Sequence, residues 1–194
     1  MAAQEHPSIP ALQKNVPARG GFLRATSAGT VAISALLALS GCATKPGHIP
    51  TGLETAKNFD PLRFEGTWHE IVRTNNKEEA GITRVTTTFK RKQDGSWLLT
   101  DRGWKNELGG YVESTKTAST GGSPGAFNVK DGAPKFFVVI DQEHTLALAC
   151  STSYRHFWIL SKNPDPESSR LERMMSLASE AGFPVKESFF VPVR

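Results

Sequence analysis

The chain takes on a strand pattern at Phe64-Glu65-Gly66-Thr67-Trp68-His69-Glu70-Ile71, where a run of short segments of alternating polar and apolar residues begins. Turn signals such as Asp94-Gly95 separate these segments at fairly even spacing, a pattern typical of a β-barrel or β-sandwich. The connections are too short to join anything but antiparallel neighbours. The predicted strands cover residues 64–74, 84–92, 97–105, 111–117, 126–130, 136–141, 146–151 and 155–162.

Eight antiparallel strands leave two unpaired edges unless the sheet closes on itself. A closed barrel of eight strands has an interior just wide enough for one small ligand. After the strands, apolar side chains recur at the spacing of one helical face, at Leu171, Met174, Met175 and Ala178. We therefore predict an all-β fold, an eight-stranded up-and-down antiparallel β-barrel with one C-terminal α-helix packed outside and a final short strand within 185–193.

Alternating strand directions bring three motifs to one end of such a barrel, which we call the floor. Gly66 and Trp68 open the first strand, Asp141 begins the turn after the sixth strand, and Lys162 ends the eighth. A large indole with a cation stacked on it buries much area and gains cation–π attraction, so it is suited to plug a barrel end. The opposite end, which we call the mouth, is then the open one.

The same motifs carry a family resemblance over residues 58–194. The segment quoted first is similar to the first motif of the lipocalins, and Asp141 with Ala147-Leu148-Ala149-Cys150 resembles the second. Phe157-Trp158-Ile159-Leu160-Ser161-Lys162-Asn163-Pro164 resembles the third, with Lys162 where the family usually has arginine. Within the family, the chain resembles the bacterial outer-membrane lipoproteins and their apolipoprotein-D-like relatives. The resemblance implies a barrel that binds a small hydrophobic ligand.

The N-terminal residues have the character of an export signal. Lys14, Arg19 and Arg24 precede an uncharged stretch that ends in Leu39-Ser40-Gly41-Cys42, which resembles the lipobox of bacterial lipoproteins. We predict that residues 1–41 are a lipoprotein signal peptide, that Cys42 is acylated, and that residues 42–57 are a tether. By analogy the mature chain is expected on the periplasmic face of an outer membrane. A membrane-spanning or buried helix is the alternative, but the stretch is short for a span.

Alternation along the strands also predicts the cavity wall. If Trp68 points inward, alternation predicts that Glu70 and Val72 also point inward. In the same way, an inward Lys162 predicts inward side chains at Trp158 and His156. The resemblance places Ala147 and Ala149 inside. The predicted ligand-binding residues are Glu70, Val72, Thr87, Phe89, Trp97, Leu99, Phe127, Phe137, Val139, Ala147, Ala149, His156 and Trp158.

The predicted function is a membrane-anchored binding protein, not an enzyme, that holds or transports fatty acids such as palmitate, or lysophospholipids. Two alternatives are an enzyme using Glu70, Asp101 and His156, and a scaffold lipoprotein with a filled barrel. If the helix packs elsewhere, the apolar outer faces of the last two strands are a possible homodimer interface.

Composition predicts what the chain does not bind. No basic block suggests nucleic acid in a chain of net charge +4. With Cys42 acylated, Cys150 has no disulfide partner, and without clustered histidines no metal site and no cofactor are expected.

Overall fold

The structure is a computed structural model that describes residues 47–77 and 79–193. The predicted signal peptide and Cys42 lie outside the described residues. No helix in the described part of the chain is both long and apolar enough to cross a membrane.

Eight antiparallel strands form a closed barrel, which confirms the predicted fold. Neighbouring strands pair in chain order, and β1 closes the barrel by pairing with both β2 and β8. The strands are β1 (Gly66–Thr74), β2 (Ile82–Arg91), β3 (Trp97–Lys105), β4 (Gly110–Thr120), β5 (Ala126–Val129), β6 (Lys135–Ile140), β7 (Leu146–Cys150) and β8 (Phe157–Ser161). A four-residue helix, α1 (Pro61–Phe64), precedes β1, and α2 (Ser168–Glu180) follows β8.

Two clusters of buried side chains divide the molecule. The inner cluster fills part of the barrel and contains Phe64, Trp68, Phe89, Trp97, Leu99, Ala118, Phe127, Phe137, Ile140, Ala147, Ala149 and Leu160. The outer cluster lies between the barrel wall and α2 and contains Ile71, Val72, Phe136, Leu146, Leu148, Cys150, Phe157, Ile159, Met174 and Ala178. Helix α2 therefore covers the face that would otherwise be free for a homodimer.

A β-bulge in β1 reverses the predicted direction of Val72. The register of β1 against β8 shifts between Glu70 and Val72, so Glu70 pairs with Leu160 whereas Val72 pairs with Ile159. Directly paired residues share a face of the sheet, and Ile159 belongs to the outer cluster. The inward orientation predicted for Val72 is therefore wrong, and Arg73 faces inward in its place.

A second bulge, in β6, has the same effect on Val139. The register against β7 shifts between Phe137 and Val139, and Val139 then pairs with Leu148 of the outer cluster. Val139 accordingly packs against the outer cluster, contrary to the prediction, while Ile140 turns into the barrel beside Ala147. Strict alternation cannot foresee either change, because each bulge adds one residue to a strand.

The end of α2 and the following segment return the chain to β1. Gly182 has φ +90°, the left-handed conformation that suits glycine after a helix, and the Phe183 N–H bonds to Ala178 O at 3.0 Å. A short strand, β9 (Ser188–Phe190), then pairs with the mouth half of β1 outside the eight-stranded barrel. The Arg84 N–H donates to Pro192 O at 2.7 Å, so the final segment bridges β1 and β2 where these strands diverge.

The described part of the predicted tether lies against the barrel. The Tyr154 hydroxyl donates to Thr51 O at 2.9 Å, and Ile49 and Leu53 pack against the outer cluster. Further along, the Ala56 N–H bonds to Phe137 O at 2.8 Å. Only residues 42–46, which lie outside the described residues, are left to connect Cys42 to the docked chain.

Asp141 organises the turn between β6 and β7. Its carboxylate accepts the backbone N–H groups of Thr145 at 2.8 Å and Leu146 at 3.1 Å, and it pairs with Arg170 of α2. Burial alone would raise the pKa of Asp141, but these hydrogen bonds and the guanidinium outweigh it and hold the pKa below its usual value. Asp141 thus ties the floor turn to the outer helix.

We expect Asp141→Ala to lower the free energy of unfolding by about 2 kcal/mol, because two N–H groups and Arg170 lose their acceptor. Urea unfolding followed by tryptophan fluorescence measures the change. Glu172→Ala, on the exposed side of α2, is the control and should stay within about 0.5 kcal/mol of the parent chain. Equal effects of the two substitutions would contradict the role given to Asp141.

Candidate functional site

The floor of the barrel is built around Trp68. Its indole stacks on Phe64 with ring centroids 4.6 Å apart, and its N–H donates to Phe64 O at 2.9 Å. The Lys162 ammonium lies 5.2 Å from the indole centroid and donates to Arg63 O at 2.6 Å and Glu65 O at 2.9 Å. Partial burial, followed by repulsion from Arg63, lowers the pKa of Lys162.

Gly66 allows the sharp backbone turn between α1 and β1 at the floor. Its φ of +114° lies in a region that side-chain-bearing residues rarely adopt, so the chain can leave α1 and enter the strand within two residues. The structure therefore brings Gly66, Trp68, Asp141 and Lys162 to one end of the barrel, as their positions in the sequence predict.

Aromatic rings fill the barrel above the floor. The centroid of Phe64 lies 5.0 Å from that of Phe89 and 4.5 Å from that of Phe137, and Trp97 lies 5.3 Å from Phe127. All of these rings are fully buried. The predicted wall residues of this level, Phe89, Trp97, Leu99, Phe127, Phe137, Ala147 and Ala149, pack among themselves in the inner cluster.

A cavity of about 250 Å³ occupies the mouth half of the barrel. It lies below the range of about 300–1,000 Å³ that is usual for ligand pockets. Its lining combines apolar side chains of β2 and β4 with charged groups of β1, β3 and β6. The lining residues are Glu70, Glu79, Ile82, Val85, Thr87, Asp101, Arg102, Gly103, Val112, Glu113, Ser114 and Lys135. Glu70 and Thr87 are thus the predicted ligand-binding residues that line it.

A buried, hydrogen-bonded pair of side chains, Glu70 and Arg73, marks the inner side of the cavity. Arg73 Nη1 donates to Glu70 Oε1 at 2.6 Å, and both side chains are almost completely buried. Arg73 Nη2 donates to the carbonyls of Glu79 and Ile82, each at 2.8 Å. The bulge in β1 makes this pair possible, because residues three apart on a regular strand point to opposite faces.

The loop between β1 and β2 brings a second carboxylate to the mouth. Glu79 accepts the indole N–H of Trp158 at 3.1 Å and the side-chain amide of Asn76, and it lies 3.9 Å from Arg73 Nε. Trp158, predicted as a wall residue, thus faces the interior and joins the loop to β8. On the far wall, Thr87 donates to Asp101 at 2.6 Å, and Lys135 Nζ lies 3.4 Å from the same carboxylate.

The arrangement at the mouth changes the acidity of Glu70. Burial, reinforced by the nearby Glu79 carboxylate, raises the pKa of Glu70 to about 8, although Arg73 opposes the shift. One guanidinium faces two carboxylates here, so a proton on Glu70 removes excess negative charge from a poorly solvated position. Near neutral pH, Glu70 therefore carries a proton for much of the time.

His156 does not join the cavity, contrary to its prediction as a wall residue. It precedes β8 and lines a separate groove with Tyr154, Arg155 and Gly182. Its Nδ1 is buried without a hydrogen-bond partner among the described residues. Glu70 and Asp101 line the cavity without it, so the structure does not assemble the trio considered for an enzyme.

Sequence reasoning missed Arg73, Glu79 and Lys135. A signal existed for Arg73, because a glutamate predicted to face the interior needs a counter-charge, and this is the nearest basic residue. Glu79 lies on a loop, where periodicity gives no direction. Lys135 shares its parity with Phe137, which was correctly predicted to face inward, but it lies one residue before the predicted strand 136–141 and was therefore left out.

An eight-stranded antiparallel barrel, packed with rings at one end and hollow at the other, defines a class of small β-barrels with an interior site. A family model described as a lipocalin-like domain matches residues 59–192. With more than half of its residues in that match, the chain belongs to the lipocalin family.

Individual relatives agree with this assignment. The chain is 30% identical over 148 residues to "Outer membrane lipoprotein Blc" of Escherichia coli, which covers 73% of this chain and 84% of that protein. It is 24% identical over 155 residues to "Temperature-induced lipocalin-1" of Arabidopsis thaliana, over 72% of this chain and 82% of that protein. Among solved structures, the cockroach allergen Per a 4 matches with a TM-score of 0.62 at 20% identity, over 72% of this chain and 92% of that one.

We expect stability to fall as pH rises from about 5 to 8, by up to about 1 kcal/mol per pH unit. In this window the native chain keeps a proton on Glu70 that the unfolded chain, with a glutamate pKa near 4.5, has lost. Glu70→Gln should remove this slope, as urea unfolding at several pH values would show. Glu54→Gln, at an exposed carboxylate, should keep it, and a slope retained in Glu70→Gln would contradict the assignment.

Proposed function

We propose that this lipocalin is a lipid-binding lipoprotein of the outer membrane, which holds or transports fatty acids or lysophospholipids. The observation that carries the proposal is the mouth-half cavity, which has an apolar wall and a charged wall. Ile82, Val85 and Val112 form the first, and Asp101 and Lys135 belong to the second. The similarity to an outer membrane lipoprotein of Escherichia coli supports the location.

An amphipathic ligand matches these two walls. Methylene groups against the apolar wall contribute about 0.8 kcal/mol each on burial. The ammonium of Lys135 offers a partner for a carboxylate or phosphate, with Asp101 as its resting counter-ion. Because aromatic rings fill the barrel below, the cavity accommodates one end of an acyl lipid, and a long tail extends toward the mouth.

The packing of the barrel favours one alternative, a scaffold lipoprotein that binds other proteins and not lipid. Phe64, Phe89 and Phe137 leave little free volume in the floor half. The proposed function is binding, and catalysis is no part of it.

Lipid uptake is tested by blocking the cavity. Ser114→Trp places an indole in the cavity lining and should weaken binding of a fluorescent oleate analogue at least tenfold. Thr115→Trp is the matched control: Thr115 is the next residue of β4, is also exposed, and bonds outward to Thr100. Native mass spectrometry of the full chain would show co-purified lipid. A parent chain that binds neither oleate nor lysophosphatidylethanolamine would favour the scaffold.

The anchor has its own test. In a bacterial host supplied with alkyne-palmitate, the parent chain should be labelled, and Cys42→Ala should lose the label because the acylated residue is gone. Cys150→Ala is the control and should keep it, since burial raises the pKa of the Cys150 thiol to about 12 and makes it a poor acceptor. Label remaining in Cys42→Ala would refute the predicted anchor.

A further inference from the structure

The first described residue fixes where the N-terminal chain meets the barrel. A Cβ placed on Gly47 would lie 2.7 Å from side-chain atoms of Pro134 and Thr152, so the backbone there packs directly against both. Pro134 lies between β5 and β6, and Thr152 lies between β7 and β8. Both loops are at the mouth, because strand directions alternate from the floor.

The covalent chain then limits the position of the proposed anchor. Four residues lie between Cys42 and Gly47, which makes five Cα-to-Cα steps, and an extended chain spans at most about 3.6 Å per step. The acylated sulfur is therefore attached within about 18 Å of the mouth, measured along the backbone. From Gly47 the docked segment continues toward the floor, where the Asn58 side chain donates to Ile140 O at 2.9 Å.

The same end of the barrel carries an exposed surface that we call the rim patch. It is composed of the exposed residues Arg84, Arg102, Leu108, Tyr111 and Phe190 and the half-buried Trp104. Leu108 is 67% exposed in the turn between β3 and β4, and Tyr111 is 46% exposed at the start of β4. Phe190, 65% exposed, belongs to β9, whose chain reaches Arg84 through Pro192.

The cations of the rim patch are held on its rings. The Arg102 guanidinium lies 3.8 Å from the centroid of Tyr111, and that of Arg84 lies 5.4 Å from Trp104. Trp104 and Tyr111 pack edge to face at 5.3 Å. Tryptophan, tyrosine and arginine together are the side chains that favour the headgroup layer of a membrane, and arginines add attraction to anionic lipids.

We propose that the mouth of the barrel faces the bilayer that holds the anchor, with the rim patch seated in its anionic headgroup layer. The inference rests on the acylation of Cys42 in the proposed function and adds an orientation to it. The ligand cavity then opens onto the lipid surface, so that an acyl lipid passes between bilayer and barrel without crossing bulk water.

Two exposed leucines at opposite ends of the barrel allow a direct test. Leu62, 72% exposed in α1 beside the floor, matches Leu108 in residue type and exposure. A bimane fluorophore would be attached to Leu108→Cys or Leu62→Cys in the full acylated chain, reconstituted in vesicles containing phosphatidylglycerol and doxyl-labelled lipid. The buried Cys150 does not compete for the label.

The expected result is at least threefold stronger quenching at position 108 than at position 62. Equal quenching, or stronger quenching at position 62, would overturn the proposed orientation. Reconstituted protein is first checked by mass for the acyl groups and for oleate uptake, so a failed anchor or a failed ligand site is recognised separately from a wrong orientation.

A second measurement tests the rim patch without the anchor. The mature chain from residue 43 onward, which lacks both the signal peptide and the acylated cysteine, should co-sediment with phosphatidylglycerol vesicles, and Arg84→Gln with Arg102→Gln should weaken this at least tenfold. Lys90→Gln with Arg91→Gln, two exposed cations at the floor end of β2, is the matched control and should bind like its parent. Equal losses in both pairs would mean that net charge, not the rim patch, binds the vesicles.

Discussion

The structure depends on the aromatic packing around Trp68. Phe64 lies on one face of the indole and the Lys162 ammonium lies near it, so the chain entering β1 and the chain leaving β8 are held together. This contact closes the barrel at one end. Phe89, Trp97, Phe127 and Phe137 continue the packing upward, so the cavity that we assign as the site lies above them, toward the mouth.

Two bulges change which side chains face the interior, and the one in β1 shapes the site at the mouth. The bulge in β1 turns Arg73 toward Glu70 and sends Val72 to the outer cluster, while the bulge in β6 exchanges Val139 for Ile140. A barrel with regular strands would have a more apolar interior at this level. Burying Glu70 and Arg73 costs desolvation energy. Their hydrogen bond offsets part of this cost and holds both side chains in place. The bulge in β1 therefore adds Arg73 to a side of the mouth half that Glu70, Asp101 and Lys135 already make polar.

The barrel, the helix and the floor motif could be predicted because they rest on periodicity and on the order of the strands. Trp68, Asp141 and Lys162 meet because alternating strands must bring their positions together. The wall of the site was predictable only where alternation is unbroken, as for Glu70 and Thr87. The directions predicted for Val72 and Val139 were wrong because a bulge adds one residue before each of them. The direction predicted for His156 was wrong because His156 precedes β8, so the alternation of that strand does not apply to it. The position of Glu79 depends on the conformation of the loop between β1 and β2, which periodicity in the sequence does not predict.

The pairing of β1 with β8 and β9 has a consequence for the order of folding. The local hairpins from β2 to β7 can form as the chain emerges, but β1 finds its other partners only when the last strands exist. Contacts between such distant segments form slowly, because a long loop must be closed first. We therefore expect closure of the barrel to be a late step in folding. If residues 1–41 direct export, late closure of the barrel would leave the polypeptide incompletely folded while it crosses the inner membrane.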